Sequence, residues 1–506
     1  MLKINCKNIF EIALTRFHKT SSFIAGLLAK FCFCKGATCP YLAFLMFYAL
    51  LAILNKTPRK NQLKKSFLVG FCFGLGYFGA TLYWVLEPFK CVGMGDFGYI
   101  AVAALILYLS LYSACSCLLT KMFQRDRFSQ ILFFCVFWTF FEYLRGIVFT
   151  GFPWNLIGYA AFDIPYFCQI ADSLGIYGVS FLFLLIISLL TYRKTLIYGG
   201  ALGIFVVLYG YYKIEISSAY DHLDFQNNVR IVQPSIAQED KMNRHKFRNN
   251  LEGHLSLSGF SEAYTGKKLI IWPEAAVTLP LNENNGILEY ISSHIKHDNV
   301  FLLTGSDSKD AGSIYNSFSV VAKNTKILQI YDKRHLLPFG EFIPEFLLGM
   351  GLRKVTKGAL NFSRGSKTRC IKIDGFDEFE VLICYEIVFP GEILDSQRSK
   401  WILNITNDAW FKTTDGPEQH LRTTCLRAIE EGRPIVRCAN NGVSCLIDCH
   451  GRVLKKLETN TIGCIDDTIP KTFRKTFYSR YGNSAILLML ALFFMIAVFI
   501  RKRENL

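Results

Sequence analysis

The sequence predicts a multi-pass α-helical membrane domain of about eight helices joined to one extracytoplasmic α/β domain. Three observations predict it. Hydrophobic residues make up 51% of the 506 and concentrate in 21–212 and 484–500, in runs long enough to cross about 30 Å of hydrocarbon. Lys and Arg gather in alternate loops between those runs. The single long polar stretch, 213–483, alternates strand-like and helix-like patterns.

Seven apolar runs precede the polar block, at roughly 21–34, 40–54, 66–86, 98–120, 129–149, 165–191 and 195–212, and an eighth follows at about 484–500. Lys30 weakens the first. Lys3, Lys7, Arg16 and Lys19 precede that run, and Lys56, Arg59, Lys60, Lys64 and Lys65 follow the second. Lys121, Arg125 and Arg127 follow the fourth, Arg193 and Lys194 the sixth, and Arg501, Lys502 and Arg503 the eighth. The other short loops hold only Lys35, Lys90 and Arg145. With eight spans every basic cluster falls on one side, the cytoplasm. The expected organisation is therefore 1–212 with seven spans, 213–483 outside the cytoplasm, and 484–506 as a last span and tail. A cleavable signal peptide fits poorly, because the first run lacks a small-residue cleavage site and further spans follow directly.

The net charge of +16 sits largely in those short loops. No basic patch interleaved with aromatics accompanies it, so nucleic-acid binding is not expected. The 17 cysteines show no paired Cys-x-x-Cys or Cys/His ligand spacing, so neither a structural zinc nor another metal is expected.

Within the polar block, strands are expected at Val229–Gln233, Leu269–Trp272, Phe301–Gly305, Ser317–Ala322, Val381–Cys384, Trp401–Ile405, Ile435–Cys438 and Ser444–Asp448. Several are continuous apolar runs, the pattern of strands buried on both faces. Residues 239–258 and 284–298 read as helices. So does 417–432, with Leu421, Cys425, Ala428 and Ile429 on one stripe, Pro417 at its start and Gly432 past its end.

Three short motifs in this block carry chemistry. IIWPEAAV (270–277) holds Glu274, YDKRHLLPFGEFIP (331–344) holds Lys333 and Glu341, and VLICYEIVFP (381–390) holds Cys384. A cysteine thiol needs a base and nearby positive charge to attack a carbonyl. Glu274, beside a bulky ring and a proline, is the candidate base, its basicity raised by desolvation. Lys333 is the candidate cation for the thiolate and for an oxyanion, and the N–H of Tyr385 a second oxyanion donor. Glu341 could orient Lys333 or assist proton transfer. Singly, such residues are a core thiol, a capping carboxylate and a solvated lysine. Their order on strand ends of one domain is what points to acyl chemistry. His335, His420 and His450 lie in polar contexts and read as surface or supporting groups.

These motifs resemble the Glu–Lys–Cys pattern of the nitrilase (carbon–nitrogen hydrolase) superfamily. With FTGFPWN (149–155), ITNDAWF (405–411) and GPEQHLRTTCLRAIEEGRPIVRCANNGVS (416–444), nearly the whole chain resembles the bacterial apolipoprotein N-acyltransferases. The resemblance implies an α-β-β-α sandwich on a membrane base, in the bacterial inner membrane with the catalytic domain on the periplasmic side. It implies a phospholipid acyl donor, a thioester on Cys384, and the α-amino group of a diacylglyceryl-cysteine apolipoprotein as acceptor. No cofactor is implied, and the protein is expected to be a monomer among membrane lipids. Glu341, Tyr385 and Glu386 match supporting positions, and Trp410 a loop residue expected to contact lipid. Met242 stands where the family often has tryptophan, and Lys412 where a glycine is usual. Trp84, Trp138 and Trp154 are expected near membrane interfaces, Trp154 also as a lipid contact.

Two other readings compete. A membrane-tethered amidase would use the same three residues with water as acceptor, although one anchor would serve it. A transporter or receptor would leave the Glu–Lys–Cys pattern unexplained. Cys370, Cys425, Cys438, Cys445, Cys449 and Cys464 share the domain with Cys384, and a disulfide among Cys445, Cys449 and Cys464 is an open alternative to buried free thiols.

Overall fold

The computed structural model describes residues 17–34, 39–57, 61–217, 228–260, 262, 266–342, 361–470 and 474–503. Lys3, Lys7, Arg16, Lys35, Arg59 and Lys60 of the charge pattern, linker residues 218–227, and Ile343 and Pro344 lie outside the described residues. The chain divides into two compact units. One is Met1–Leu86, Asp96–Ala219 and Arg480–Leu506; the other is Glu87–Gly95 and Tyr220–Ser479.

All eight apolar runs are helical in the first unit, but not all are long. The first is broken into His18–Leu27 and Lys30–Phe33, and the second is Leu42–Lys56. Among the described residues, five helices are long and apolar enough to cross a membrane: Gly95–Phe123, Arg127–Ile147, Phe167–Leu190, Leu196–Ile216 and Ser484–Arg501. The pair Gln62–Thr81 and Tyr83–Cys91, bent by 60°, adds a sixth if counted as one span. Ile197, Phe205, Leu488 and Phe499 are exposed, which hydrocarbon tolerates and water does not.

Close helix approach comes from small residues. A Cβ on Gly76 would lie 2.2 Å from the Phe23 carbonyl oxygen, and one on Gly70 would lie 2.4 Å from that of Ser113. Trp84, Trp138 and Trp154 are not interfacial anchors: all three are buried. Trp138 packs on Phe47, Phe73 and Phe134, and Trp84 on Trp154 at 5.0 Å between ring centroids. The aromatic surface of each packs within this unit. The FTGFPWN loop is held instead by Arg145, whose Nη1 donates to the carbonyls of Phe152 and Trp154, and by Tyr77, whose hydroxyl donates to that of Asn155.

The second unit is a two-sheet sandwich. Its strands are β1 (Asn228–Gln233), β2 (Lys268–Ile271), β3 (Val277–Pro280), β4 (Val300–Asp310), β5 (Ser313–Ala322) and β6 (Lys326–Asp332). There follow β7 (Cys370–Ile371), β8 (Phe379–Ile383), β9 (Trp401–Thr406), β10 (Ile435–Ala439), β11 (Ser444–Ile447), β12 (Val453–Leu457) and β13 (Gly463–Thr468). One sheet runs β13-β1-β2-β4-β5-β6, with β3 paired to β4; the other runs β12-β11-β10-β9-β8-β7. The central pairs β1–β2, β2–β4, β8–β9 and β9–β10 are parallel, and the outer pairs of these two orders are antiparallel.

The inner faces meet in one core, where Val229, Ile231, Leu269 and Leu303 face Val381, Leu403, Ile405 and Val436. Helices Phe247–Ser258 and Asn285–His294 cover the outer face of the first sheet through Leu251, Leu255, Leu288 and Ile291. Helix Gly416–Glu431 packs against the second sheet with Leu421, Cys425, Ala428 and Ile429 buried. This is the α-β-β-α sandwich.

Candidate active site

Parallel strands that end together present their last residues on one edge, and here three such ends carry the candidate groups. After β2 the chain passes through Trp272 and Pro273 to Glu274, then turns at Ala275, whose φ is +48°. Gly305 on β4 makes room for that turn: a Cβ there would lie 2.5 Å from the Pro273 carbonyl oxygen. Trp272 is buried, its indole N–H donating to Ser258 Oγ at 2.8 Å. β6 ends at Asp332, and Lys333 follows. β8 ends at Ile383, and Cys384 follows in left-handed backbone, φ +51°, opening a 3₁₀ turn Cys384–Val388. A non-glycine residue in that region is strained and must be held by its surroundings.

Glu274, Lys333 and Glu341 are all buried and touch. Lys333 Nζ lies 3.0 Å from Glu341 Oε1 and 3.5 Å from Glu274 Oε1. Asn316, on β5, bridges the same two carboxylates: its Nδ2 donates to Glu274 Oε1 at 2.9 Å and to Glu341 Oε1 at 2.7 Å. The Leu337 N–H donates to Glu341 Oε2 at 2.8 Å, closing the loop on itself. Glu386 plays a different part. It accepts from the Tyr331 hydroxyl and the N–H groups of Arg334 and His335 through Oε1, and from the Ile383 N–H through Oε2. One buried carboxylate thereby ties the lysine segment to the cysteine turn. The Tyr385 ring packs edge-on against Phe389 at 5.0 Å.

The electrostatics are coupled. Burial works against the Lys333 charge, but the Glu341 and Glu274 carboxylates outweigh it and raise the ammonium well above the usual lysine range. Burial and the Glu274 charge push the half-buried Cys384 thiol up, against the opposing pull of Lys333. The resting sulfur is therefore a thiol, not the thiolate that a nearby cation alone would favour.

Sequence reasoning missed a second buried layer. Asp408, His420 and Arg437 are nearly inaccessible. Arg437 Nη2 donates to Asp408 Oδ2 at 2.7 Å, and His420 Nδ1 lies 3.0 Å from Asp408 Oδ1. Thr406 Oγ1 donates to Asp408 Oδ1 at 3.1 Å. His420 is thus deep support rather than a surface group, and His450 is buried as well. The signal was Arg437 within the otherwise apolar strand Ile435–Ala439. Burial raises Asp408, yet Arg437 and His420 pull it down to about 2. Burial and Arg437 lower His420.

Met242 and Trp410 are half-buried, on the segment after β1 and on the turn after β9. Lys412 has φ +49° and ψ −145°, a backbone state natural to glycine, which accounts for the usual residue there. Cys445 and Cys449 are buried free thiols and Cys464 a half-buried one. They are not bridged.

Residues 25–189 match the family model of the apolipoprotein N-acyltransferase N-terminal domain, and residues 228–476 match that of the carbon-nitrogen hydrolases. An apolipoprotein N-acyltransferase of Rickettsia bellii is 32% identical over 512 residues, covering 96% of this chain and 98% of the relative. Its counterpart in Rickettsia typhi is 33% identical, covering 93% and 96%. That of Rhizobium rhizogenes is 33% identical, covering 83% and 84%. A helical membrane unit, a carbon–nitrogen hydrolase sandwich and relatives matched along nearly their full length lead to one conclusion: the chain belongs to the apolipoprotein N-acyltransferase family.

Proposed function

We propose that this chain moves a fatty acyl group from a membrane phospholipid to the N-terminal amine of a diacylglyceryl-cysteine apolipoprotein, with Cys384, Glu274 and Lys333 as the reacting groups. The observation that carries the reading is the meeting of Glu274, Lys333 and Glu341 at one buried edge, within electrostatic reach of a strained cysteine.

In the first step Cys384 Sγ attacks the ester carbonyl while Glu274 takes the thiol proton. Lys333 and the Tyr385 N–H stabilise the tetrahedral oxyanion. Collapse breaks the ester C–O bond, and the leaving lysophospholipid alkoxide takes the proton back from Glu274. In the second step the acceptor amine attacks the thioester and loses a proton to Glu274. The C–S bond breaks, and that proton returns to sulfur. Glu341 and Asn316 hold Lys333 and Glu274 in register, and Glu386 holds the cysteine turn. Met242 and Trp410, beside the site, are the candidate lipid contacts.

The same reading puts the catalytic unit, taken as 213–483, on the periplasmic face of the inner membrane between 1–212 and 484–506, in a monomer. What supports that side is the gathering of Lys and Arg in alternate short loops. The test is to give acyl-loaded enzyme a synthetic diacylated lipopeptide. N-acylated peptide is the expected product. Release of free fatty acid alone would show water as the acceptor and sink the reading.

A further inference from the structure

We infer that Lys241 is a positioning residue of the acyl-transfer site, its ammonium gripping the Glu274 peptide so that the carboxylate is aimed at the reacting groups. Lys241 lies on the short helix Gln238–Lys241 after β1, is 7% exposed, and donates from Nζ to the Glu274 carbonyl oxygen at 2.7 Å. Among the described residues, its ammonium is bonded to that carbonyl alone.

Two features give the grip a purpose. The turn it holds is strained: Ala275 is left-handed, and Gly305 leaves no space for the turn to shift toward β4. The lysine's own segment is fixed. Asn407 Nδ2 donates to Gln238 Oε1, and Asn440 accepts from the Ile236 N–H and donates to its carbonyl. A rigid arm thus reaches across to the base.

A purely structural role does not call for this residue. A buried ammonium satisfied by one carbonyl costs folding free energy, and methionine of nearly the same length would fill the space without that cost. Burial lowers Lys241 to about 8. The titratable groups facing it are Glu274, Cys438, Cys384, Asp307 and His254. Its charge is therefore lost as pH rises through about 8, and with it the charge-assisted hold on the Glu274 carbonyl.

The inference rests on the acyl-transfer reading. The experiment follows thioester formation on Cys384 by intact mass in full-length protein at saturating phospholipid, alongside thermal unfolding. Lys241→Met should slow thioester formation at least tenfold, leave the phospholipid concentration for half-maximal rate unchanged, and unfold at the wild-type temperature or above. The wild-type rate should fall as pH rises through about 8, and this limb should vanish in Lys241→Met. A wild-type rate in the variant overturns the inference, and so does a loss of rate that tracks a loss of thermal stability. If Lys241→Met does not fold, the same readouts on Lys241→Gln decide. Absence of thioester in wild type itself sinks the acyl-transfer reading instead.

Discussion

Cys384 combines a strained backbone with a thiol held in its protonated form, and this reverses one expectation. A cation beside a cysteine suggests a standing thiolate, yet Lys333 is committed to Glu341 and Glu274, and burial wins at sulfur. In the proposed mechanism proton loss then accompanies attack, with Glu274 as the acceptor. It also protects the sulfur, since oxidation and alkylation go through the thiolate. Iodoacetamide should modify Cys384 at pH 7 more slowly than it modifies a small free thiol; equal or faster labelling, read by peptide mass, would contradict the assignment. Asn316→Ala removes two hydrogen bonds to carboxylates, worth about 1.5–3 kcal/mol each. Thioester formation should fall roughly tenfold to a hundredfold with the protein still folded, and an unchanged rate would refute the bridging role. Lys333→Ala should also affect the fold. It leaves two buried carboxylates unpaired, at a cost of about 3–5 kcal/mol, visible as a lowered unfolding temperature. Glu274, Lys333 and Cys384 were legible because each stands in a distinctive motif at a strand end, and Glu341 because it shares the motif of Lys333. Asn316 was not, because SIYNSFSVV reads as an ordinary strand and its role depends on two residues far along the chain.

At the scale of elements, the parallel strands were legible and the edges were not. β2, β8, β9 and β10 are mostly apolar strands buried along their length, and β1 and β4 each contain a buried apolar run. β12, with Lys455 and Lys456, is largely exposed, and β13, with Asp466 and Asp467, is mostly half-buried; neither carries such a signal. β3 and β7 are too short to show a period. The turn after β2 depends on an element it follows only in space: Gly305→Val should displace Glu274 and reduce activity more than it reduces stability, overpacking of this kind costing about 1–3 kcal/mol. Wild-type activity would mean the turn tolerates the shift. Helix Gly416–Glu431 and strands β9 and β10 bring together Asp408, His420 and Arg437. Asp408 is held at about 2 against an ordinary 3.8, so its stabilising contribution is full above about 4 and is lost as pH falls toward 2. His420 is lowered from 6.5, so acid opposes the fold there with the same sign. Asp408→Asn should flatten the acid limb of unfolding below pH 4; an unchanged limb would place the acid sensitivity elsewhere.

For the whole molecule, composition and charge pattern separated a membrane unit from a catalytic one. The helix lengths, the break in the first run and the burial of the tryptophans were not legible, since hydropathy does not distinguish a lipid-facing from a helix-facing aromatic residue. The central claim is that Cys384 carries the acyl group between two lipid substrates. The most direct measurement is the intact mass of full-length protein after incubation with a phospholipid of defined chains. Wild type should gain the mass of one fatty acyl group, removable by hydroxylamine, and Cys384→Ala should gain none. An acyl adduct that persists in Cys384→Ala, or none on wild-type protein that still N-acylates lipopeptide, would contradict the account.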